Sequence, residues 1–291
     1  MPIKYDGKKD SYDYDKESVN FFINVGFVVT KKCNLKCIHC CETVDNNEFD
    51  LINIKKILDK LFEEGLRKVC ITGGEPLMRK DIVEILKYAH EKGFNITFST
   101  NGTMLDKSKL TQIRPFIDNI RFSIYGNEEN HDRVTLIKGN YKKVIECLKL
   151  TQEFKIPTGL IMTVLKSNLF DIEDVVDICD KYNVGKLYLF SLMPTERGEQ
   201  IYDAEYVSPE NIFQEVAKNS SNIKVVVKII DWRIEGQCIL AYDNGDIVAQ
   251  PSYSDVGNKK IVGNILKEEA SAIWKKYPFK QAHIDYYLDY H

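Results

Sequence analysis

The sequence predicts an α/β protein: a partial (β/α)6 TIM-like barrel over residues 21–232, preceded by a polar extension at 1–20 and followed by a small C-terminal hairpin-plus-helix module at 233–291. Three observations carry this. β-rich runs alternate with amphipathic helical runs six or seven times without interruption, the pattern of a parallel sheet with helices outside it. The unusual loops, at 33–40, 73–76, 99–102 and 123–126, each follow a predicted strand, and in such barrels chemistry gathers at the carboxyl ends of the strands. After residue 232 the alternation stops.

The segment 21–30, FFINVGFVVT, reads as a mostly buried strand. Leu51, Ile54, Leu58, Leu61 and Phe62 recur at helical spacing over 51–64, and a short strand follows at 68–72. Ile82, Ile85, Leu86 and Ala89 make a second helix over 81–91, which Gly93 ends, and 94–99 is the next strand. The order continues with a helix at 107–113, a strand at 119–124, a helix at 141–154, a strand at 157–165, a helix at 172–182 and a strand at 186–192. Ser208 before Pro209 starts a further helix, since serine caps exposed amides and proline lacks a donor that the first turn does not need. The β-branched density of 225–229 marks one more strand. Strand counting is compatible with complete or partial closure. Beyond it, 236–241 and 247–250 form a hairpin turning on Asn244-Gly245, and 268–277, with Ile273 and Trp274, is a short helix. A module this small lacks a good core of its own and is expected to dock on the barrel.

With 40 basic and 43 acidic residues mixed along the chain and a net charge of -3, nothing asks for a nucleic acid or an anionic membrane as partner. The first twenty residues are polar and acidic, without the apolar run of a secretory signal, and no apolar run reaches the length of a membrane span. A cytoplasmic location follows as the expectation, and structural disulfides are uncommon there. Eight cysteines therefore need another explanation, and three of them fall within residues 33–40.

Cys33, Cys37 and Cys40 have the spacing C-x3-C-x2-C. Thiolates are natural ligands of iron–sulfur clusters, and one tight loop can direct three of them to a cubane. Three ligands for four irons leave one iron open to a small molecule. The other readings are free thiols or zinc. Structural zinc normally wants four protein ligands, and a fourth from His39 or Cys41 would crowd one metal beside Cys40.

On this loop and on the motifs that follow it in order, the chain resembles the radical S-adenosylmethionine (SAM) superfamily over roughly residues 21 to 230. The resemblance implies one [4Fe-4S] cluster on Cys33, Cys37 and Cys40, with SAM at the open iron. It implies an electron from a flavodoxin- or ferredoxin-type reductant, and a 5'-deoxyadenosyl radical that removes hydrogen from a substrate carbon. Thr72-Gly73-Gly74-Glu75-Pro76 resembles the family's GGEP motif. Its glycines allow close backbone approach to the methionine end of the ligand, and Glu75 either accepts from the SAM ammonium or fixes the loop. Ser99 and Asn101 stand in the segment that the family places near the ribose and carboxylate. Ser123 ends the fourth strand, with Tyr125 where the family has an acidic residue. His131-Asp132-Arg133 matches a polar segment that orders the loop over the site, and Arg133 either touches substrate or makes a loop salt bridge. Thr163 is expected to face the adenine, His39 to pack near it, and Arg197 to bind SAM or substrate from a segment whose Gly-Arg order is inverted here.

The module resembles a stripped-down SPASM or twitch domain, the cysteine-rich extension of many peptide maturases and carbohydrate dehydrogenases, at Gln237-Cys238, at 244–248, at 263–265 and at Ile273-Trp274. Gln250-Pro251 stands where that pattern has another cysteine, and no cysteine follows Cys238. Cys70, Cys147 and Cys179 fall in predicted strand or helix cores and are expected to be structural. An auxiliary cluster would lack ligands, which argues against oxidative chemistry and leaves epimerisation or rearrangement. Cys238 is then either the donor that returns a hydrogen or a retained core cysteine. The resemblance is closest to peptide-maturing branches, so a ribosomally made peptide is the expected substrate, although twenty polar residues cannot form a leader-binding domain. A carbohydrate, nucleoside or cofactor precursor is the alternative, and a non-catalytic SAM- or peptide-binding protein is the alternative of another class.

Overall fold

The computed structural model describes residues 4–5, 12–13, 19–218, 224–231, 233, 238–249 and 260–289. Most of the polar extension, together with Gln237 and Gln250-Pro251, lies outside the described residues.

Seven strands alternate with helices: β1 (Asn24–Thr30), α1 (Leu51–Glu63), β2 (Lys68–Gly73), α2 (Ile82–Lys92), β3 (Asn95–Thr100), α3 (Lys107–Ile113), β4 (Asn119–Ser123), α4 (Glu128–Thr135), α5 (Asn140–Glu153), β5 (Thr158–Val164), α6 (Ile172–Lys181), β6 (Lys186–Ser191), α7 (Arg197–Glu205), α8 (Pro209–Lys218) and β7 (Val226–Ile230). Each of these strands pairs in parallel with the one before it. Then come β8 (Ile239–Tyr242), β9 (Asp246–Ala249), β10 (Lys260–Asn264), α9 (Ala270–Lys276) and α10 (Lys280–Asp289). The sheet order is β10-β9-β8-β1-β2-β3-β4-β5-β6-β7, with no pairing between its two ends among the described residues. The architecture is the partial, TIM-like barrel expected, and the strand read at 225–229 is its seventh.

Strand alternation sorts residues to the two faces. In β2, Val69 and Ile71 are fully buried in the layer shared with the helices, which Ile54, Leu58 and Leu61 of α1 and Ile82, Ile85 and Leu86 of α2 fill from outside. Lys68, Cys70 and Thr72, on the other face, line the barrel interior. Cys147 and Cys179 lie in the helix layer, the thiol of Cys147 donating to the Gly102 carbonyl at 3.3 Å. Cys70 does not: it is half-buried on the interior face, so the expectation of a core cysteine fails for it.

The hairpin turns on Asn244-Gly245, where Gly245 has φ +87° and donates its N–H to the Tyr242 carbonyl at 2.9 Å. It is not a body resting on the barrel, because β8 is hydrogen-bonded in parallel to β1, with Leu240 opposite Gly26. A Cβ on Gly26 would meet the Leu240 side chain at 2.8 Å, so the glycine makes room for this pairing. Below it, Trp274 packs edge-on against Phe22 at 5.2 Å, and Nε2 of His283 accepts the Ile23 N–H at 3.0 Å. The C-terminal helices thus close the amino end of β1 with an apolar contact and a satisfied amide. Three helices escaped the sequence reading: α4 and α7, which have little apolar periodicity, and α10 at the end of the chain. Helix α4 is instead fixed by Asn127, whose side chain accepts the Asn130 N–H. No described helix is long and apolar enough to cross a membrane.

Candidate active site

The cysteine loop leaves the end of β1 and is zipped to the turn after β2. Gly74 N–H donates to the Thr30 carbonyl at 2.8 Å, and Glu75 N–H donates to the Lys32 carbonyl at 2.7 Å. A Cβ on Gly73, at φ +151°, would lie 2.2 Å from the Thr30 oxygen, and one on Gly74 would lie 2.2 Å from the Lys32 oxygen. The glycines are therefore required by the root of the cysteine loop, a constraint that sequence alone did not reveal.

Glu75 is bonded within the protein around the root of the loop. Fully buried, its carboxylate accepts from Leu77 N–H at 3.0 Å, Thr100 Oγ1 at 2.7 Å and Asn101 N–H at 2.8 Å. Burial raises its pKa, and these three hydrogen bonds work against the rise. Pro76 is buried at the start of a 3-10 turn at Pro76–Met78. Neither side chain forms part of the cavity wall.

That wall encloses about 420 Å³ and includes Cys33, Cys37 and Cys40. The loop is held from several sides: Leu35 N–H points at Cys33 Sγ (3.5 Å), Ile38 N–H donates to the Val134 carbonyl of α4 (3.0 Å), and Arg197 Nε donates to the Cys37 carbonyl (2.8 Å). Arg197 lies behind the wall, where it fixes the loop backbone. Gly198 follows because a Cβ there would meet the Met193 and His39 carbonyls at 2.4 and 3.2 Å. Burial pushes the Cys37 thiol up to about 12, with the charges of Cys40 and Cys33 adding to it, and burial also raises Cys33. Such thiols become thiolates only when a cation replaces their protons. Among the described residues no three His, Cys, Asp or Glu side chains converge on a point suited to one metal ion. Three thiols on one loop that face one cavity are, by their chemistry, a donor set of the kind that holds the iron corners of a cubane.

Gly73, Gly74, Ser99 and Asn101 also line the cavity, as do Ser123 and Thr163. Asn101 Nδ2 donates to Asn34 Oδ1 at 3.0 Å and lies 4.0 Å from Cys33 Sγ. His39 reaches the wall with its ring 4.4 Å from that of Tyr125, and its buried Nδ1 has no hydrogen-bond partner among the described residues. Burial, with Arg197 and His131 adding, pushes its pKa down to about 3, so it is neutral. Tyr125 supplies an aromatic wall where the family has an acid, and its ring stacks on His131 at 5.5 Å. Arg133 does not line the cavity; it donates to Asn130 Oδ1 and to Ser167 Oγ on the exposed side of α4. Asp132 accepts the Gly139 and Tyr141 N–H groups and so joins α4 to α5.

His131 makes the support of this wall sensitive to acid. Its Nδ1 accepts the Tyr125 N–H at 3.2 Å, and burial pushes its pKa down to about 4 from an ordinary 6.5. Between those values the unfolded chain binds a proton that the folded chain does not, so stability falls as pH falls through this window, at up to about 1.4 kcal/mol per pH unit. Urea midpoints measured across the window should drop more steeply for wild type than for His131→Gln. Equal slopes would mean that His131 protonates without cost.

Cys238, just before β8, lines the same cavity, half-buried, with burial pushing its thiol up to about 12. Cys70 lines it too. Sequence reasoning missed the interior cations Lys68, Arg121, Lys186 and Lys228. The signal was present as charged residues at inward positions of strands that had been read only for apolar density.

The radical SAM superfamily model matches residues 27–179, more than half of the chain. Fe-coproporphyrin III synthase of Methanosarcina barkeri is 30 % identical over 182 residues, 61 % of this chain and 46 % of that protein. PqqA peptide cyclase of Bradyrhizobium diazoefficiens is 29 % identical over 165 residues, 55 % of this chain and 43 % of that protein. The chain spans less than half the length of these two relatives. Among solved structures, Streptococcus suis SuiB bound to S-adenosylmethionine has a TM-score of 0.73 at 16 % identity, covering 94 % of this chain and 68 % of SuiB, a likeness of fold. Since the matched residues hold the three-cysteine loop, the Gly-Gly-Glu-Pro turn and the strands that carry Ser99, Ser123 and Thr163, the chain belongs to the radical SAM superfamily, whose members use a [4Fe-4S] cluster and SAM.

Proposed function

We propose that this protein is a cytoplasmic radical SAM enzyme that modifies a ribosomally synthesised peptide by a redox-neutral reaction, epimerisation at a backbone carbon, without an auxiliary cluster. Residues 21–232 would be the catalytic barrel and 233–291 its extension. The observation that carries the reading is that the three-thiol loop and Cys238 open onto one cavity. Cys33, Cys37 and Cys40 would hold the cluster. Gly73, Gly74, Ser99, Asn101, Ser123 and Thr163 would contact SAM, with His39 and Tyr125 as its aromatic flank. Glu75, Pro76 and Arg197 would keep the loop in place.

When bound, cluster and SAM supply a 5'-deoxyadenosyl radical after one electron arrives from a flavodoxin- or ferredoxin-type reductant. The cavity positions the substrate carbon and keeps water from it. Cys238 stays protonated at neutral pH, so its S–H can pass a hydrogen atom to the carbon radical from the second face. One electron from the reductant and one proton then restore the thiol. The peptide reading is supported by the PqqA peptide cyclase relative, and the redox-neutral reading by Gln250-Pro251 at the place where the SPASM pattern has a cysteine. The porphyrin synthase relative favours a cofactor precursor as the second reading.

The test is anaerobic turnover in D2O with dithionite, SAM and short peptides encoded beside the gene. The expected result is 5'-deoxyadenosine together with one deuteron per modified peptide, and Cys238→Ala should still cleave SAM yet give no epimer. Absence of 5'-deoxyadenosine under every reducing condition would turn the reading to a non-catalytic binding protein. A peptide product that has lost hydrogen would return oxidative chemistry.

A further inference from the structure

The wall of the cavity that holds the three cysteines changes character from one side to the other. Toward the carboxyl ends of β2 to β4 it is small and polar, with Thr72, Ser99, Asn101 and Ser123. On β6 to β8 it carries Phe190, Ile230 and Leu240. Phe190 stands one residue from the carboxyl end of β6, opposite Thr163 of β5 and Ile230 of β7 in the strand register. The lysines of these two strands lie deeper in the barrel: Lys228 is two residues before Ile230 and Lys186 four before Phe190, toward the amino ends.

Interior phenylalanines normally pack against other apolar side chains, and Phe190 does not. Its neighbours Leu187 and Leu189, on the other face of β6, are fully buried in the helix layer. Phe190 is only half-buried, and among the described residues it belongs to no packed apolar cluster and its ring meets no other ring. Ile230 stands outside those clusters as well. Leu240 touches the small cluster of Val28, Tyr242 and Val248 on one side and is otherwise open, with Gly26 making room beneath it. Large apolar surface left uncovered inside a barrel marks a place that an apolar group fills, because covering it releases water. The occupant is defined by what else opens onto the same space: the cysteine loop, and Cys238, two residues before Leu240. A charged or strongly polar group would shed its hydration against these three side chains at a cost.

We propose that Phe190, Ile230 and Leu240 form the seat for the side chain of the peptide residue that is modified, and that this side chain is apolar, either branched aliphatic or aromatic. The seat rests on the reading of the cavity as the active site of a peptide-modifying enzyme. A side chain held there leaves its backbone carbon between the cysteine loop and Cys238, while the polar wall of β2 to β4 stays free for SAM. The seat thus sets both which residue is accepted and which carbon is presented.

The test is photolabelling of the reconstituted full-length protein by a capped tripeptide, acetyl-Gly-X-Gly-amide, in which X is the diazirine analogue of leucine. Labelled residues are located by mass spectrometry. The experiment is run with and without SAM, and against unlabelled competitors of the same form in which X is leucine, phenylalanine, serine or asparagine. Label should fall on Phe190, Ile230 or Leu240, and the leucine and phenylalanine peptides should displace it at concentrations about tenfold or more below those of the serine and asparagine peptides. Phe190→Ala should lower the labelling of Leu240 by about fivefold or more, and Phe190→Leu should restore most of it, with circular dichroism as the check on folding. Label on other residues, no label, or equal competition by all four peptides overturns the seat. Displacement of the label by SAM alone assigns these residues to the cofactor and overturns it too. Formation of 5'-deoxyadenosine by the same wild-type preparation is read separately: its absence sinks the radical reading and leaves the labelling to be judged alone, and its presence with a failed seat leaves the radical reading standing.

Discussion

Replacing Cys33, Cys37 and Cys40 together by alanine is expected to take reconstituted protein from about four irons per chain to fewer than about one, and to abolish 5'-deoxyadenosine formation. The size of the effect follows from the geometry. Each thiol opens onto one cavity, and the loop that carries them is pinned by Gly74, Glu75, Arg197 and Val134 through backbone hydrogen bonds that the substitutions leave untouched. The variant should therefore fold and still lack the donors, which circular dichroism would establish. Iron, sulfide and EPR of the dithionite-reduced protein are the measurements. If an EPR-active cluster survives, the structure says where to look: Cys41, Cys70 and Cys238 line the same cavity. Survival would mean that these form a second site, and oxidative chemistry would replace the redox-neutral proposal. Loss of iron with unchanged SAM cleavage is not compatible with any cluster-based reading.

The parts of this architecture that were legible in the sequence are those governed by period and by local chemistry. β1 to β7 and the amphipathic helices between them could be read from apolar faces and β-branched density, and the Asn244-Gly245 turn because few residues tolerate its backbone. The cysteine loop was legible because three thiols in a short span have few other uses. Helices α4 and α7 were not, since caps and tertiary contacts stabilise them in place of an apolar stripe. Contacts across the sheet were also hidden. That Gly74 answers to the Lys32 carbonyl, Arg197 to the Cys37 carbonyl and His283 to the Ile23 amide depends on how distant segments meet. Cys70 was misplaced for a related reason: a strand residue is core or cavity according to its parity, and parity is fixed by register with the neighbouring strands.

Glu75→Ala is expected to cost about 3 kcal/mol or more of folding stability, a larger loss than most single substitutions, although Glu75 is neither a predicted cluster ligand nor part of the cavity wall. Its carboxylate is the shared acceptor for Leu77 N–H, Thr100 Oγ1 and Asn101 N–H, and all three donors are left without it when the side chain is cut back. Alanine would also leave a void behind the turn that carries Gly74, loosening the grip on the Lys32 carbonyl and so on the cysteines. Glu75→Gln separates the two roles considered for this residue. The amide keeps one oxygen for Leu77 and Thr100 but turns an N–H toward the Asn101 N–H, so it should lose about 1 to 3 kcal/mol and lower the iron retained on reconstitution. Were Glu75 instead a contact for the SAM ammonium, glutamine would leave the urea midpoint and iron content near wild type and raise the KM for SAM alone. Measuring midpoint, iron and KM on the same preparations distinguishes the outcomes, and the buried, triply bonded carboxylate predicts that midpoint and iron move first.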